Sequence, residues 1–263
     1  MKIIVCMKQV PVQDSLLKIA ENGRWILEDE LNWEINESDH YALETALRLK
    51  EANGGGEVVL LTMGPDRVKE AIKQGLAKGA DRALHLNNEA FSTIDPFINA
   101  KLLAAAIKNE SPDLVFTGLQ TDDQGWGQTG PALAEMLGFS HATIAMEIVK
   151  TDAGVKVKRE LESGWFQWVE LPAPALVSIQ SGISQLRYAT IKGIMMAKKK
   201  EIKQLTLADI GLSETEVDDK QSPLKFDKIY MPEKNKQAEL LTGDPKEIAR
   251  QLADKLKNEA KVF

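Results

Sequence analysis

Asp113-Leu114-Val115-Phe116-Thr117-Gly118 runs into Leu119-Gln120-Thr121-Asp122-Asp123-Gln124-Gly125-Trp126-Gly127-Gln128-Thr129-Gly130, and helical spacing resumes from Pro131 to Leu137. The first six residues form a short apolar run ended by glycine, as in a strand buried on both faces. The last part reads as a helix with proline in its first turn. Between them lies a long loop containing Gly125, Gly127 and Gly130 and the neutral donors Gln120, Gln128 and Thr129. In an open parallel sheet such a loop lies outside the carboxyl ends of the strands, where ligands bind. Glycine lets backbone amides approach phosphate oxygens, and a helix start offers free N–H groups to the same anion.

The same strand-then-helix grammar repeats upstream. Ile3 to Met7, Glu57 to Met63 and Arg82 to Leu86 are strand-like, and Ser38 to Ala52, Val68 to Lys78 and Asp95 to Lys108 are helix-like. Ser38 and Asp95 are the expected caps of the first and third helices, and Gly64-Pro65 stops the second strand. This alternation predicts an α/β fold, an open parallel sheet covered by helices on both faces, of the Rossmann-like adenine nucleotide-binding type. After Gly138 the pattern changes. Met146 to Lys150, Val155 to Leu161 and Phe166 to Leu171 are separated by turn residues and predict an added β-hairpin region, and Ala175 to Gln180 one more core strand. Residues 1–186 are the expected nucleotide-binding core. Residues 187–263 are polar and loosely patterned until Pro245 to Ala260, which regains helical spacing behind Asp244. They are read as a recognition segment and an extended C-terminal arm that wraps a partner.

Composition bounds the function. The 263 residues carry a net charge of -6, which argues against a nucleic-acid binder. No apolar run approaches the roughly 18 residues of a membrane span. The N-terminus has neither signal-peptide nor transit-peptide layout, and the single Cys6 excludes an internal disulfide, so a cytoplasmic compartment is expected. His40, His85 and His141 lack metal spacing, with His40 expected on the surface, and no catalytic constellation, P-loop or nucleophile elbow is present. Gly125, Gly127 and Gly130 match the dinucleotide fingerprint literally, but they do not fall directly after the strand, and Asp122 and Asp123 would repel a pyrophosphate. A plain surface loop is the competing reading. Gln185 to Lys200 mixes apolar residues, two methionines and a basic end. It reads either as an ordinary helix with a solvated lysine end or as a docking segment.

These stretches, with Lys2-Ile3-Ile4-Val5-Cys6-Met7-Lys8-Gln9-Val10-Pro11, resemble the beta subunit of electron transfer flavoproteins over essentially the whole chain. Val157-Lys158-Arg159-Glu160-Leu161-Glu162-Ser163-Gly164, Gln167-Trp168-Val169 and Pro174-Ala175-Leu176-Val177-Ser178 are similar to that family's signature, with Ser163 where an acid or glycine is usual. The resemblance implies a non-catalytic electron carrier subunit. It would pair with an alpha subunit that holds most of one FAD, accept electrons from flavin dehydrogenases, pass them to the respiratory chain, and bury one AMP. The implied AMP site comprises Cys6, Asn36, Glu37, Ser38, Asp39, Met63, Gly118, Gln120, Thr121, Asp122, Asp123, Gln124, Gly125, Gly127, Gln128 and Thr129. The family's recognition loop falls on Arg187 to Lys200, with Ile191 at its usual leucine anchor and Tyr188, Ile194 and Met195 beside it. Some members hold a second FAD in place of AMP. An autonomous NAD-dependent oxidoreductase and a nucleotide sensor related to universal stress proteins are the alternatives; the first demands acid–base residues, and the second has no need of the arm.

Overall fold

In the computed structural model, which describes residues 1–87, 95–232 and 238–262, five apolar runs become the centre of a nine-stranded sheet. Chain order begins with β1 (Lys2–Cys6), the short antiparallel pair β2 (Gln9–Pro11) and β3 (Trp33–Ile35), and α1 (Glu37–Ala52). There follow β4 (Glu57–Met63), α2 (Lys69–Lys78), β5 (Arg82–Leu86), α3 (Pro96–Lys108), β6 (Leu114–Gly118) and α4 (Thr129–Leu137). Then come β7 (Ser140–Lys150), β8 (Gly154–Glu160), β9 (Phe166–Pro172), β10 (Ala175–Ile179), α5 (Ile191–Ala197), β11 (Ile202–Leu205) and α6 (Pro245–Asn258).

The sheet order is β11-β5-β4-β1-β6-β10-β7-β8-β9. The strands from β11 to β7 are mutually parallel, and β8 and β9 continue the edge as an antiparallel hairpin. Alternate residues of β1 feed opposite faces. Ile3 and Val5 pack with Leu43 and Leu47 of α1 and Ile72 and Leu76 of α2, while Ile4 and Cys6 pack with Leu102 and Ile107 of α3 and Leu133 of α4. Burial on both sides is why these strands read as continuous apolar runs. The chain moves outward from β1 to β4 and β5, then returns to β6 on the other side of β1. The carboxyl ends of β1 and β6 therefore flank the topological switch point, where loops diverge and leave a crevice.

Several local expectations change. Helix α1 starts at Glu37 behind Asn36, so Ser38 is not its cap; the Ser38 hydroxyl instead donates 2.9 Å to the Gln120 carbonyl. Helix α4 starts at Thr129, two residues before Pro131. Strand β7 starts at Ser140 rather than Met146. Its first half pairs in parallel with β10, and Ile144 takes a φ of 58° where the register shifts. Strand β11 was not foreseen. It pairs with β5, and its last residue, Leu205, joins the core with Leu207 and Ile210 just beyond. His40 is half-buried rather than on the surface. Asp95 and Asp244 cap α3 and α6 as expected, and α6 buries none of its residues.

Candidate functional site

The crevice is closed on one side by a junction between the start of α1 and the loop after β6. Asn36, fully buried, donates from Nδ2 to the Ser38 Oγ and to the Gln120 carbonyl, 3.0 Å each, and its Oδ1 accepts the Asp122 amide at 2.9 Å. The Asp39 carboxylate spans the two loops of the switch point. Its Oδ2 accepts the Lys8 amide at 2.8 Å after β1, and its Oδ1 accepts the Gly118 amide at 2.9 Å after β6. Gly118 allows this approach, because a Cβ there would collide with the Ser38 hydroxyl and the Asp39 carboxylate. Gly130 plays the same part farther on, where a Cβ would meet the hydroxyls of Ser178 and Thr117, themselves hydrogen-bonded at 3.0 Å.

The two acids that seemed hostile to phosphate are already engaged. Asp122 accepts the Glu37 amide at 3.0 Å, and Asp123 pairs with the Lys8 ammonium at 2.7 Å. Lys8 also donates to the Gln124 side chain at 3.0 Å. Its placement directly after β1, at a strand's carboxyl end, was the available signal for a residue the sequence reading left out. Burial pushes the Asp39 carboxyl up to about 7, against the pull of the Lys8 and Gly118 amides. Burial, with Asp39 nearby, pushes the Cys6 thiol up, so it is a packed core group and not a nucleophile.

What remains unused is the far half of the loop. Thr121 turns it by accepting the Gly125 amide at 2.8 Å, and Gly125 and Gly127 both take a φ of 62°. Among the described residues, the backbone amides of Trp126, Gly127, Gln128 and Thr129 donate to no protein acceptor. They lie just before and at the start of α4, whose dipole end adds to their attraction for an anion. Met63 ends β4 at the same edge of the sheet and packs against the cluster that contains Cys6. The structure thus joins Asn36, Glu37, Ser38, Asp39, Gly118, Gln120, Asp122, Asp123 and Gln124 through hydrogen bonds. It leaves the amides of Trp126, Gly127, Gln128 and Thr129 without a protein acceptor among the described residues. Neutral amide donors over a helix start fit the phosphate of a mononucleotide.

The segment 187–200 lies elsewhere, against α1 and α2. Arg187 donates from Nε to Glu44 at 2.8 Å and from its terminal nitrogens to Glu51 at 2.6 and 3.0 Å. Thr190 caps α5 by accepting the Gly193 amide at 3.0 Å. Gly193 packs on the α2 backbone, where a Cβ would strike the Ala77 carbonyl. After the helix, Lys200 donates to the Leu76 carbonyl at 3.0 Å and the Ala80 carbonyl at 2.5 Å, closing the end of α2. The basic run is therefore divided: Lys200 is structural, and Lys198 and Lys199 are exposed. Held at both ends, α5 presents Ile191, Ile194 and Met195 to solvent, 81%, 50% and 65% exposed, beside Tyr188 at 93%. Among the described residues no group of acidic, histidine or cysteine side chains could hold a metal ion, and no helix is long and apolar enough to cross a membrane.

Comparison with known proteins adds a second line. A model of the electron transfer flavoprotein domain matches residues 24–210. The chain is 38% identical over 255 residues to electron transfer flavoprotein subunit beta of Methylophilus methylotrophus, covering 96% of each. It is 36% identical over 263 residues to the protein of that name in Bradyrhizobium diazoefficiens, and 32% identical over 264 residues to the mitochondrial one of Arabidopsis thaliana, covering all of each chain.

Proposed function

Since the chain belongs to the electron transfer flavoprotein family, we propose that it acts as the smaller, beta-type subunit of a heterodimer that carries electrons and does no chemistry of its own. In this reading it encloses one AMP as a structural group and shares with the alpha subunit an FAD held mainly by that partner. The observation that carries the reading is the pinned loop at the switch point, whose remaining donors are neutral amides at a helix start. A dinucleotide fits less well, because β1 is followed by Met7-Lys8-Gln9 with no glycine turn. The residues that would hold AMP are Asn36 to Asp39 and Gly118 to Thr129, with Met63 and Cys6 lining the base of the crevice. Asp39 and Lys8 fix the loop, and the amides from Trp126 to Thr129 take the phosphate.

FAD, when bound, supplies the redox step. The residues of this chain orient and shield it, and they present docking surfaces. The exposed face of α5 offers Ile191 as an apolar anchor to a flavin dehydrogenase, with Lys198 and Lys199 steering the encounter. The described residues beyond Gly211 are mostly exposed, and α6 carries Ile248, Leu252 and Leu256 at helical spacing without burying them. That is the character of an arm that packs on the alpha subunit. Electrons then pass to the respiratory chain.

Expression tests this directly. The chain alone is expected to be colourless, and coexpression with an alpha subunit of the family is expected to give a yellow complex. A stable flavin-bearing homodimer of this chain alone overturns the reading.

A further inference from the structure

A cavity of about 550 Å3 opens between α1, α2 and the residues leading into α5. Its charged lining is Glu44, Arg48, Glu51, Lys78 and Arg187, with Tyr188 at the rim. Two carboxylates meet two guanidiniums here. Glu44 is only 3% exposed; it takes Arg187 at 2.8 Å and Arg48 at 2.6 Å, and Glu51 takes Arg187 at 2.6 Å. Lys78 is left over. Among the described residues no carboxylate lies within ion-pair distance of it, and its hydrogen bond is to His40 Nδ1 at 3.0 Å. Burial and the Lys78 charge push His40 down to about 4, so that ring is neutral at physiological pH and accepts a hydrogen bond from the Lys78 ammonium. Burial of this ammonium costs folding free energy that the more distant Glu44 charge offsets only in part, and an added opposite charge would offset the rest. The chain as a whole carries a net charge of -6, yet the cavity lining sets three cations, Arg48, Lys78 and Arg187, against two carboxylates, Glu44 and Glu51.

We infer that this cavity receives an acidic side chain of the electron-donating dehydrogenase, held by Lys78 while Ile191 fills an apolar hollow of the same partner. The inference rests on the docking role proposed for α5. Thr190 lines the cavity and Ile191 is the next residue, so a protein seated on α5 covers the opening. The partner surface is thereby specified in chemical terms, an apolar hollow with an Asp or Glu beside it. The carboxylates of Glu44 and Glu51 are already taken by Arg48 and Arg187, so the lining favours a partner anion over a partner cation. This gives the pocket selectivity as well as affinity.

The test uses the assembled heterodimer as wild type, Lys78→Met, Lys78→Arg and Ile191→Ala. An acyl-CoA dehydrogenase and an amine dehydrogenase are offered as donors, and the one that reduces wild type is carried forward. Lys78→Met is expected to raise the half-saturating concentration by about threefold to thirtyfold and to flatten its salt dependence, with the maximal rate unchanged. Lys78→Arg is expected to retain most of the wild-type affinity. The melting temperature of Lys78→Met is expected to stay level or rise, because the surplus cation of the lining has been removed from a half-buried position. A lowered melting temperature overturns the inference, since it gives Lys78 a structural role. So does a half-saturation within about twofold of wild type while Ile191→Ala is weakened. If Ile191→Ala also behaves as wild type, the docking role of α5 itself fails.

Discussion

Replacing Gly118 by alanine probes the crevice proposed for AMP where its parts touch. The added Cβ would meet the Ser38 hydroxyl, the Asp39 carboxylate and, at 3.0 Å, the Ser38 Cβ. A hydroxyl can rotate away, but the carboxylate is fixed by the amides of Lys8 and Gly118 itself. The start of α1 must therefore back off from β6. Overpacking of this kind costs about 1–3 kcal/mol, and losing an amide bond to a charged acceptor costs about 1.5–3 kcal/mol. Because one movement relieves the clash and breaks the bond, the two overlap, and a combined loss of about 2–4 kcal/mol is expected. At about 2–4 °C per kcal/mol for a chain of this size class, the melting temperature falls by about 4–16 °C. Gly125→Ala is the control. Its Cβ would meet nothing within 4 Å, so only the left-handed backbone at φ 62° opposes it, a cost of about 1–2 kcal/mol. The assay is a thermal melt of both variants, paired with quantification of the nucleotide released by acid. A Gly118→Ala protein that melts with wild type and keeps its full nucleotide content would refute the pinning of these two loops.

Ile191→Ala is expected to weaken dehydrogenase binding about tenfold to a hundredfold in an electron-transfer titration, from the loss of a buried anchor of about 1.5–3 kcal/mol. Its melting temperature and AMP content should not change, because Ile191 is 81% exposed in the free chain. Asp39 sets a pH dependence. Its carboxyl is raised to about 7 in the folded state, so its stabilising contribution is complete below the unfolded value of ~3.9 and is lost as pH rises through 7. At saturating AMP, wild type should lose about 2–3 kcal/mol relative to Asp39→Asn between pH 5 and 8, and parallel denaturation curves would contradict this. Lys200→Met should cost about 1–2 kcal/mol in urea unfolding, since it uncaps α2, while leaving the salt dependence of dehydrogenase association to Lys198 and Lys199.

What was legible in the sequence follows burial. Strands β1, β4, β5, β6 and β10 lie between two helical layers, so nearly every position is apolar and the run announces itself. Strand β11 lies at the sheet edge, where Lys203 and Gln204 face solvent and break the pattern. The opening of β7 hid behind Ser140, His141 and Thr143, because only Ala142 and Ala145 of that stretch face the core. Strands β2 and β3, three residues each, are too short to carry a period. In the crevice, the glycines and the asparagine-to-aspartate stretch could be singled out by type and by resemblance. For Lys8 the position after β1 was the only signal, since its pairing partner, Asp123, lies 115 residues away. Nor does sequence separate Lys200 from Lys198 and Lys199; only the carbonyls at the end of α2 do that.

In the proposed function the crevice between α1 and α4 holds a mononucleotide while the flavin belongs to the pair. Mass spectrometry of the ligands released by acid from the purified heterodimer, and from this chain alone, tests it most directly. The account predicts one AMP per copy of this chain in the complex, one FAD per heterodimer, and no flavin on the chain alone. Recovery of FAD or NAD from the isolated chain, with AMP absent from both preparations, would contradict it.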